Sequence, residues 1–391
     1  MKNIPKIHFR GFSEEWEEKE LGEEFDVRDG THDSPKYIEN GYPLITSKNL
    51  CANGKIDFNN INYISEEDFN FINKRSKVDI GDILFGMIGT IGNPVIVEKE
   101  GFAIKNVALI KSQNQSNKFL FYYLFSNFIK EQFFIKNTGG TQKFIALNVI
   151  RKLIFKFPPI QEQQKIGKLF ETIDKLILTQ EKKHKQLENI KKSFLEKLFP
   201  QDDKNIPKIR FRGFSEEWEE RKIKNIFDDI TRGYVLSKNK ISNKQTTKFK
   251  YPVYSSQTLN NGLLGYYSEY LYENAITWTT DGANAGDVKY RKEKFYCTNV
   301  SGVLISKKGF SNQCIAEILN TQTKKYVSYV GNPKLMNNVM SEIIINIPPL
   351  ILEQQKIGIF FQKLDKLLEL NQQKITKLKQ IKKSLLNKML I

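Results

Sequence analysis

The chain has 391 residues, 40% of them hydrophobic, which suits two or three folded domains and excludes a largely disordered protein. The net charge of +17 favours a polyanionic partner, most simply nucleic acid, and lysine enrichment without a binding role is the alternative. Cys51, Cys297 and Cys314 are too scattered for a disulfide framework, and residues 1–6 lack the apolar core of a signal peptide. We therefore expect a cytoplasmic protein.

The charge is uneven along the chain. Residues 1–200 contain 30 Lys and Arg against 26 Asp and Glu, a net charge of +4, whereas residues 201–391 contain 31 against 18, a net charge of +13. Counterion release scales with the number of phosphates that are neutralised. If both halves bind a nucleic-acid backbone, we expect the second half to bind with the steeper salt dependence.

The first predicted element is a motif that the chain contains twice. Residues 2–18, KNIPKIHFRGFSEEWEE, and residues 204–220, KNIPKIRFRGFSEEWEE, agree at sixteen of seventeen positions. Only His8 is replaced, by Arg210. So close a match over this length indicates an internal duplication.

A second repeated motif closes each copy. Residues 157–177, FPPIQEQQKIGKLFETIDKLI, match residues 347–368, IPPLILEQQKIGIFFQKLDKLL, with one inserted residue. Between the motifs, residues 19–156 and 221–346 share little beyond their apolar pattern. An enzyme built by duplication would more naturally keep its active-site residues in both copies. A constant frame around two different inserts indicates a protein that recognises two different targets.

The inserts are predicted to mix short strands, tight turns and helix. In the first insert, residues 42–45 and 82–85 are predicted strands, and residues 118–136 are predicted to form an aromatic-rich helix in the core. In the second, a strand at 275–278 leads into the small, polar segment 279–286. That segment either brings backbone and hydroxyl groups close to DNA or closes a surface hairpin.

Heptad spacing after each Pro-Pro pair predicts one long helix in each copy. The expected seam positions are Ile166, Ile173, Gln180, Leu187 and Phe194, and then Ile357, Leu364, Asn371, Leu378 and Leu385. The expected partner column lies three residues further on, at positions 169, 176, 183 and 190, and at 360, 367, 374 and 381. Because one polar break, Gln180 or Asn371, interrupts each seam, we predict that the helices pair with each other. Separate packing of each helix on its own domain is the alternative.

Motifs for catalysis are missing from the sequence. It has neither a phosphate-binding loop nor a methyltransferase-like Asn/Asp-Pro-Pro-aromatic run. His8, His32 and His184 lack metal-ligand spacing, so no metal site is predicted. Asp281 and Asp287 form a weak nuclease-like pair without a counterpart in the first copy. We expect no catalytic site and no cofactor in this chain, and a self-contained nuclease is the alternative.

Together these motifs resemble the specificity subunits of type I restriction-modification systems over essentially the whole chain. The resemblance is carried by residues 5–16 and 207–218, the Pro-Pro helix starts at 158–163 and 348–354, the helix ends at 191–199 and 382–390, and segments 41–57 and 81–92. It implies that each insert recognises one half of a split DNA target through the major groove. It implies that the paired helices dock methyltransferase subunits, two in number, and that restriction-translocase subunits join this core.

The resemblance also implies where the chemistry lies. S-adenosylmethionine would belong to the methyltransferase subunits, and ATP and Mg²⁺ to the nuclease subunits. The implied fold class is α+β, with two mixed α/β target-recognition domains joined by two long helices that pair as an antiparallel coiled coil in a pseudo-two-fold tandem repeat. The predicted boundaries are residues 1–157 and 201–347 for the recognition domains, and 158–200 and 348–391 for the spacer helices. A helix over residues 161–199 would span about 58 Å.

Candidate site residues follow from side-chain chemistry and loop context. The DNA-binding candidates are Lys48, Asn49, Gly89, Thr90, Thr141, Lys143, Arg232, Lys238, Ser255, Ser256, Gln257, Thr280, Asn284 and Arg291. The candidates for subunit docking and the coil are Gln163, Gln164, Gln354 and Gln355 together with the ten seam positions. A scaffold that does not bind DNA, with two adhesion-like modules on a coiled coil, remains the alternative to a DNA-recognition protein.

Overall fold

The computed structural model describes residues 3–89, 91–136, 144–201, 204–256 and 259–391. The chain divides into two compact units. The first comprises residues 1–181 and 373–391, and the second comprises residues 182–372. Each unit therefore contains one N-terminal motif, one insert and a part of both long helices. The four-part division drawn from the sequence follows chain order and stays a prediction.

The first copy forms short strands and helices before one long helix. In chain order they are β1 Glu17–Glu20, α1 Leu21–Glu24, β2 Phe25–Asp29, β3 Tyr42–Thr46, β4 Asn62–Ile64, α2 Glu66–Ser76, β5 Ile83–Gly86, β6 Gly92–Ile96, β7 Ala103–Lys105, β8 Val107–Ser112, α3 Asn117–Tyr123, α4 Asn127–Lys136, α5 Leu147–Arg151, β9 Ile154–Phe157 and α6 Ile160–Leu198. A 3-10 turn at Ser47–Asn49 follows β3.

The second copy repeats this order of strands. Its elements are β10 Glu219–Lys222, α7 Ile223–Ile226, β11 Asp229–Arg232, β12 Tyr251–Tyr254, β13 Leu263–Tyr267, β14 Ala275–Thr279, β15 Val288–Arg291, β16 Tyr296–Cys297, β17 Ser301–Ile305, α8 Gln313–Gln322, α9 Asn337–Glu342, β18 Ile344–Ile347 and α10 Ile351–Met389. Short 3-10 turns lie at Lys238–Lys240, Leu259–Gly262 and Thr323–Tyr326.

The two inserts have the same sheet topology. The first has a four-stranded sheet of order β2-β8-β5-β6 and a three-stranded sheet of order β4-β3-β7. The second has sheets of order β11-β17-β14-β15 and β13-β12-β16. In both three-stranded sheets the last pair, β3 with β7 or β12 with β16, is parallel. Two inserts of dissimilar sequence therefore share one α+β fold, and the predicted fold class is confirmed.

Alternation along the central strands builds two apolar layers, because successive strand residues point to opposite faces. Ile83 and Phe85 of β5 belong to a core that includes the aromatic helix α3. Leu84, between them, belongs to a second core with Ile45 and Ile104 of the three-stranded sheet. The central sheet of the first insert is therefore buried on both faces, which explains its uninterrupted apolar strands.

The predicted aromatic helix at 118–136 is two helices, α3 and α4, separated at Leu124–Ser126. The hydroxyl of Ser126 accepts a hydrogen bond from Ile129 N at 3.3 Å, and this side-chain cap stabilises the start of α4. The expectation that its aromatic residues are core is confirmed, since Phe119 and Tyr123 are fully buried.

The duplicated N-terminal motif docks on a long helix in the same way in each unit. In the first unit, Ile7 N donates to the carbonyl of Lys388 at 3.1 Å. In the second unit, the equivalent Ile209 N donates to the carbonyl of Lys197 at 3.0 Å. Met389, which follows Lys388, is buried in the core of the first unit. The constant motif therefore attaches each insert to the end of a long helix.

The long helices pair with each other, and they do so antiparallel. In the first unit, Asp174 of α6 pairs with Lys382 of α10 at 2.6 Å. In the second unit, the repeat-equivalent Asp365 of α10 pairs with Lys191 of α6 at 2.6 Å. Because each residue of one pair is the duplicate of a residue of the other, the same contact forms twice with the helices exchanged. The alternative of separate packing is excluded.

The first column of the predicted seam is buried or half-buried along both helices. Ile166, Ile173, Ile357 and Leu364 are buried, and so is the polar break residue Asn371. Four further seam positions are half-buried: Leu187, Phe194, Leu378 and Leu385. Gln180 is also half-buried. The predicted heptad phase is therefore the one that the structure adopts.

The second column of the predicted seam holds only at its first position in each helix, since Leu169 and Phe360 pack against the cores while Leu176, Ile190, Leu367 and Ile381 are exposed. Positions four residues after the first column, including Phe170, Ile177, Phe361 and Ile375, are buried in its place. An apolar helix stripe is wide enough to include residues at both +3 and +4, so the sequence alone leaves the second column undecided. As a result, large apolar residues that were expected in the seam are exposed on the helices.

None of the described helices is long and apolar enough to cross a bilayer.

Candidate nucleic-acid interface

Three loops of the second insert meet at one end of its two sheets. They follow β12, β14 and β16. Thr298 N donates to the carbonyl of Tyr254 at 2.9 Å, and the Thr298 hydroxyl donates to Ser255 Oγ at 2.9 Å. Asn284 Nδ2 donates to the carbonyl of Ser256 at 3.1 Å. These bonds join polar loops from both sheets into one surface.

The first insert has a loop cluster at the same topological place, after β3, β5 and β7. Ser47 Oγ donates to the carbonyl of Asn106 at 2.8 Å and accepts a hydrogen bond from Met87 N at 3.1 Å. Ser47 therefore has the joining role that Ser255 has in the second insert. Each unit thus presents one loop cluster on the same scaffold, with different residues in the loops.

In the second unit, the predicted DNA-binding residues divide into two groups. Arg232 and Lys238 are exposed and available to a phosphate backbone, whereas Ser255, Ser256 and Asn284 are half-buried within the loop cluster.

Two candidates of this unit require a correction. Thr280 is buried, and its hydroxyl donates to Asp281 Oδ2 at 2.6 Å. Arg291 is 9% exposed, and Nη2 donates to the carbonyl of Asn261 at 2.7 Å. Both side chains are engaged within the protein, so neither is a direct DNA contact in this conformation.

In the first unit, Lys48 and Gly89 are exposed in the loop cluster, as direct contacts require. Asn49 is a correction, since it is buried and Nδ2 donates to the carbonyl of Asn60 at 2.9 Å while Oδ1 accepts from Thr46 N at 2.9 Å. Its role is to close the turn after β3. The remaining candidates lie outside the described residues: Thr90, Thr141, Lys143 and Gln257.

The first loop cluster contains a residue that the sequence reasoning passed over. His32 lies between Asn106 Oδ1 and Asp29 Oδ2, each at 2.8 Å. Hydrogen bonds to Asn106 and then Asp29 raise the pKa of His32, against a smaller opposing effect of burial and of Arg75. Asn106 is 74 residues away in sequence, so no local signal could have identified this pairing.

Gln163 and Gln354, predicted to dock other subunits, are buried inside their own units. Gln163 Nε2 donates to the carbonyl of Pro158 at 2.8 Å, and Gln354 Nε2 donates to that of Pro348 at 2.9 Å. Each therefore fixes the Pro-Pro turn to the start of its helix, which corrects the prediction. Their neighbours Gln164 and Gln355 are exposed and stay candidates for docking.

Exposed apolar side chains mark one surface of the paired helices in each unit. In the first unit, Leu176 and Ile381 are 46% and 40% exposed. In the second unit, their repeat-equivalents Leu367 and Ile190 are 49% and 43% exposed. Isolated exposed leucines are ordinary. The recurrence of the same pair at equivalent positions in both units indicates a surface for a partner.

Within the described ranges, no cluster of His, Cys, Asp and Glu could hold a metal ion. The carboxylates of the weak nuclease-like pair are engaged separately, Asp281 with Thr280 and Asp287 with Lys324 at 2.5 Å. Burial raises the pKa of the Cys297 thiol to about 12, which disfavours the reactive thiolate.

The fold and its two loop clusters define a tandem-repeat protein with two variable α+β modules and paired antiparallel helices. Residues 13–189 and 215–380 each match the family described as the type I restriction modification DNA specificity domain. These matches cover most of the chain, and the chain therefore belongs to this family.

Individual relatives agree with this assignment. A putative type I specificity subunit of Mycoplasma pneumoniae is 40% identical over 116 residues, which are 29% of this chain and 38% of that protein. A putative type I restriction enzyme MjaX specificity subunit of Methanocaldococcus jannaschii is 25% identical over 418 aligned residues, covering 100% of this chain and 96% of that one. The crystal structure of a type I restriction-modification S subunit from M. genitalium has a TM-score of 0.72 at 17% identity, covering 99% of both chains. This last likeness concerns the fold alone.

Proposed function

We propose that this chain is the DNA-recognition subunit of a type I restriction-modification complex, and that each unit recognises one half of a bipartite target. The supporting observation is that two inserts of one topology present equivalent loop clusters built from different residues. Phosphate contacts position a protein on DNA, whereas side chains at base edges select the sequence. One scaffold with two sets of loops therefore suits two unrelated half-sites.

We further propose that the chain has no catalytic role and directs methylation by docking methyltransferase subunits on the paired helices. The repeated apolar pairs, Leu176 with Ile381 and Leu367 with Ile190, would provide one docking surface in each unit. Two equivalent surfaces suit two copies of the same subunit. A restriction-translocase subunit would then act on this core, with its own ATP and Mg²⁺.

DNA recognition is tested with the complex of this chain and its methyltransferase subunits. Methylation mapping should give a split target with two specified halves separated by unspecified bases. DNA affinity should fall steeply with salt, with a log–log slope of about −0.9 per phosphate contacted. A scaffold that does not bind DNA would leave methylation without sequence preference and affinity without salt dependence.

Docking is tested by placing a charge on each repeated apolar surface. Leu176→Lys and Leu367→Lys should each weaken methyltransferase binding at least about 10-fold, since each buries an unpaired charge in an apolar contact. The matched control is Leu178→Lys, because Leu178 is also exposed but has Glu369 as its repeat counterpart. Equal binding by all three variants in co-purification and calorimetry would contradict the docking surface.

The nuclease alternative has its own test. The purified chain, incubated with supercoiled DNA and Mg²⁺, should leave the DNA uncut. Cleavage by the wild-type chain that is lost in Asp287→Asn would replace the recognition role with a catalytic one.

A further inference from the structure

One charged side chain lies in the second unit where the first unit has an apolar one. Trp278 of β14 pairs with Gly302 of β17, and Phe85 of β5 pairs with Ala108 of β8. These strands have the same places in the two sheets, so Trp278 is the structural equivalent of Phe85. Arg291 pairs with Ala275, three residues before Trp278, and Val97 bonds to Asp82, three residues before Phe85. Arg291 is therefore the structural equivalent of Val97 in the first unit. Val97 is 1% exposed and packs in the core between the sheets. Packing alone therefore does not require an arginine at this position.

The surroundings of Arg291 lack a compensating carboxylate at ion-pair distance among the described residues. Its guanidinium stacks on the Tyr254 ring, with Cζ at 3.5 Å from the ring centroid, and Nε lies 3.4 Å from Thr277 Oγ1. The carboxylate of Glu293 accepts the Tyr254 hydroxyl at 2.6 Å, one residue removed from the guanidinium. Burying a cation in this way is unfavourable, and such a group is retained where it performs a task.

The guanidinium of Arg291 also binds the turn between two strands. Nη2 donates at 2.7 Å to the carbonyl of Asn261, in the turn between β12 and β13. Asn260 and Asn261 have φ of 51° and 54°, and Gly262 has φ of 83°. Asparagine and glycine adopt these left-handed positions readily in hairpin turns, and the bond from Arg291 is a tertiary contact that holds this turn in place.

Further bonds hold the same loop. Ser255 N donates to the carbonyl of Gly262 at 2.9 Å, which closes the loop at its base. Asn284, in the loop after β14, holds the carbonyl of Ser256 at 3.1 Å. Backbone groups of the loop are thus bound to the protein, while the side chains of Asn260 and Asn261 are exposed on the loop cluster. An asparagine amide can form two hydrogen bonds with the edge of an adenine.

We propose that Asn260 and Asn261 recognise bases in the half-site of the second unit, and that Arg291 is the positioning residue that fixes their turn. This inference rests on the proposed function and specifies which loop of the second unit selects bases. The buried guanidinium acts through the Asn261 carbonyl and contacts no DNA itself. Desolvation lowers the pKa of Arg291, in keeping with a cation held away from solvent and from phosphates.

The test uses the complex of full-length chain and methyltransferase, with duplex oligonucleotides that carry each single-base change across the mapped target. Asn261→Ala should reduce discrimination about 5- to 100-fold at one or two adjacent positions, all in one half-site, as expected for loss of a bidentate base contact. Arg291→Met should reduce discrimination at the same positions, and Arg291→Lys, which keeps a donor, should fall between Arg291→Met and wild type.

Matched controls separate the loss of base discrimination from any general effect of removing a positive charge or an amide group. Lys308→Met removes an exposed cation of the same unit, and Asn338→Ala removes an exposed amide on α9. Both should leave the discrimination profile of each half-site unchanged. If Arg291→Met unfolds the second unit, Arg291→Lys and the exposed Asn260→Ala and Asn261→Ala still decide the outcome.

Three failures are distinguishable. A wild-type complex without a bipartite target overturns the proposed function itself. A wild-type complex with a bipartite target, combined with unchanged profiles in Asn260→Ala and Asn261→Ala or an equal loss in both half-sites, overturns only the assignment of this loop. A profile that is unchanged in Arg291→Met overturns its positioning role.

Discussion

The two units solve the same packing problem with different side chains. In the first, the central strands pair Phe85 with Ala108, and in the second the equivalent pair is Trp278 with Gly302. A Cβ on Gly302 would lie 2.2 Å from the Trp278 ring. The larger ring is therefore accommodated by removal of a methyl group across the strand. The comparison teaches that this topology preserves volume at its core positions and leaves residue identity free.

The two copies of the N-terminal motif differ at one position, and this difference changes the contacts of a buried carboxylate. In the second unit, Arg210 binds the fully buried carboxylate of Glu353 through two bonds, of 2.7 and 2.8 Å. In the first unit, the counterpart of Arg210 is His8, and His8 Nδ1 lies 3.4 Å from the carbonyl of Pro5. Glu162, the counterpart of Glu353, is equally buried without this partner. In both units the N-terminal motif packs against this buried glutamate of the long helix, a contact called here the glutamate anchor. One substitution in the motif thus decides whether the glutamate of the anchor is paired with an arginine.

The largest expected change in stability comes from removing Arg210, the arginine of the glutamate anchor. Arg210→Met should destabilise the second unit by about 3–5 kcal/mol, because it leaves a buried carboxylate unpaired. Urea unfolding followed by hydrogen exchange in peptides of each unit measures this loss separately. Arg212→Met, an exposed neighbour, is the control and should change stability by less than about 0.5 kcal/mol. Similar losses in the two variants would show that the ion pair is unimportant.

The converse substitution should make the first unit resemble the second. Burial raises the pKa of Glu162, opposed by weaker effects that include those of Trp16 and His8. A raised carboxyl pKa gives stability that is complete below the ordinary value of 4.5 and is lost as pH rises through the raised value. His8→Arg should add about 1–2 kcal/mol at neutral pH and flatten this pH dependence. Unfolding of the first unit from about pH 4 to pH 8 measures both effects, and an unchanged pH profile would contradict the comparison.

Two substitutions test the exchange of volume at the central strands. Gly302→Ala should cost about 1–3 kcal/mol through overpacking against the Trp278 ring. Adding Trp278→Phe, which reproduces the pair of the first unit, should recover part of that loss, so the two changes should be non-additive. Thermal unfolding of the single and double variants gives the coupling. Simple additivity would mean that the two side chains do not compensate each other.

Much of the fold could be predicted because periodic apolar patterns in the sequence indicate its strands and helices. The duplication, the strands at β3, β5 and β14 and the pairing of the long helices follow from repeats and heptads. Most of the second seam column was wrong, because +3 and +4 positions both lie on a broad apolar stripe. The start of α4 is marked by a single serine cap, which aromatic content obscures.

The candidate site was less accessible to sequence reasoning. Polar residue type indicated loops that the structure brings together, yet it did not distinguish exposed groups such as Lys48 from buried ones such as Asn49 and Arg291. Those roles depend on partners distant in the chain, as Arg291 with Asn261 shows. Residue chemistry predicts which groups are capable of binding DNA, and only tertiary contacts decide which of them are free to do so.

The burial of Met389 and Leu390 in the first unit has a consequence for biosynthesis. The second unit comes from one uninterrupted stretch of chain, so it is able to fold while the polypeptide is still being made. The first unit waits until residues 373–391 have left the ribosome. A nonsense codon within that stretch would therefore harm the module that was translated first and spare the one translated after it.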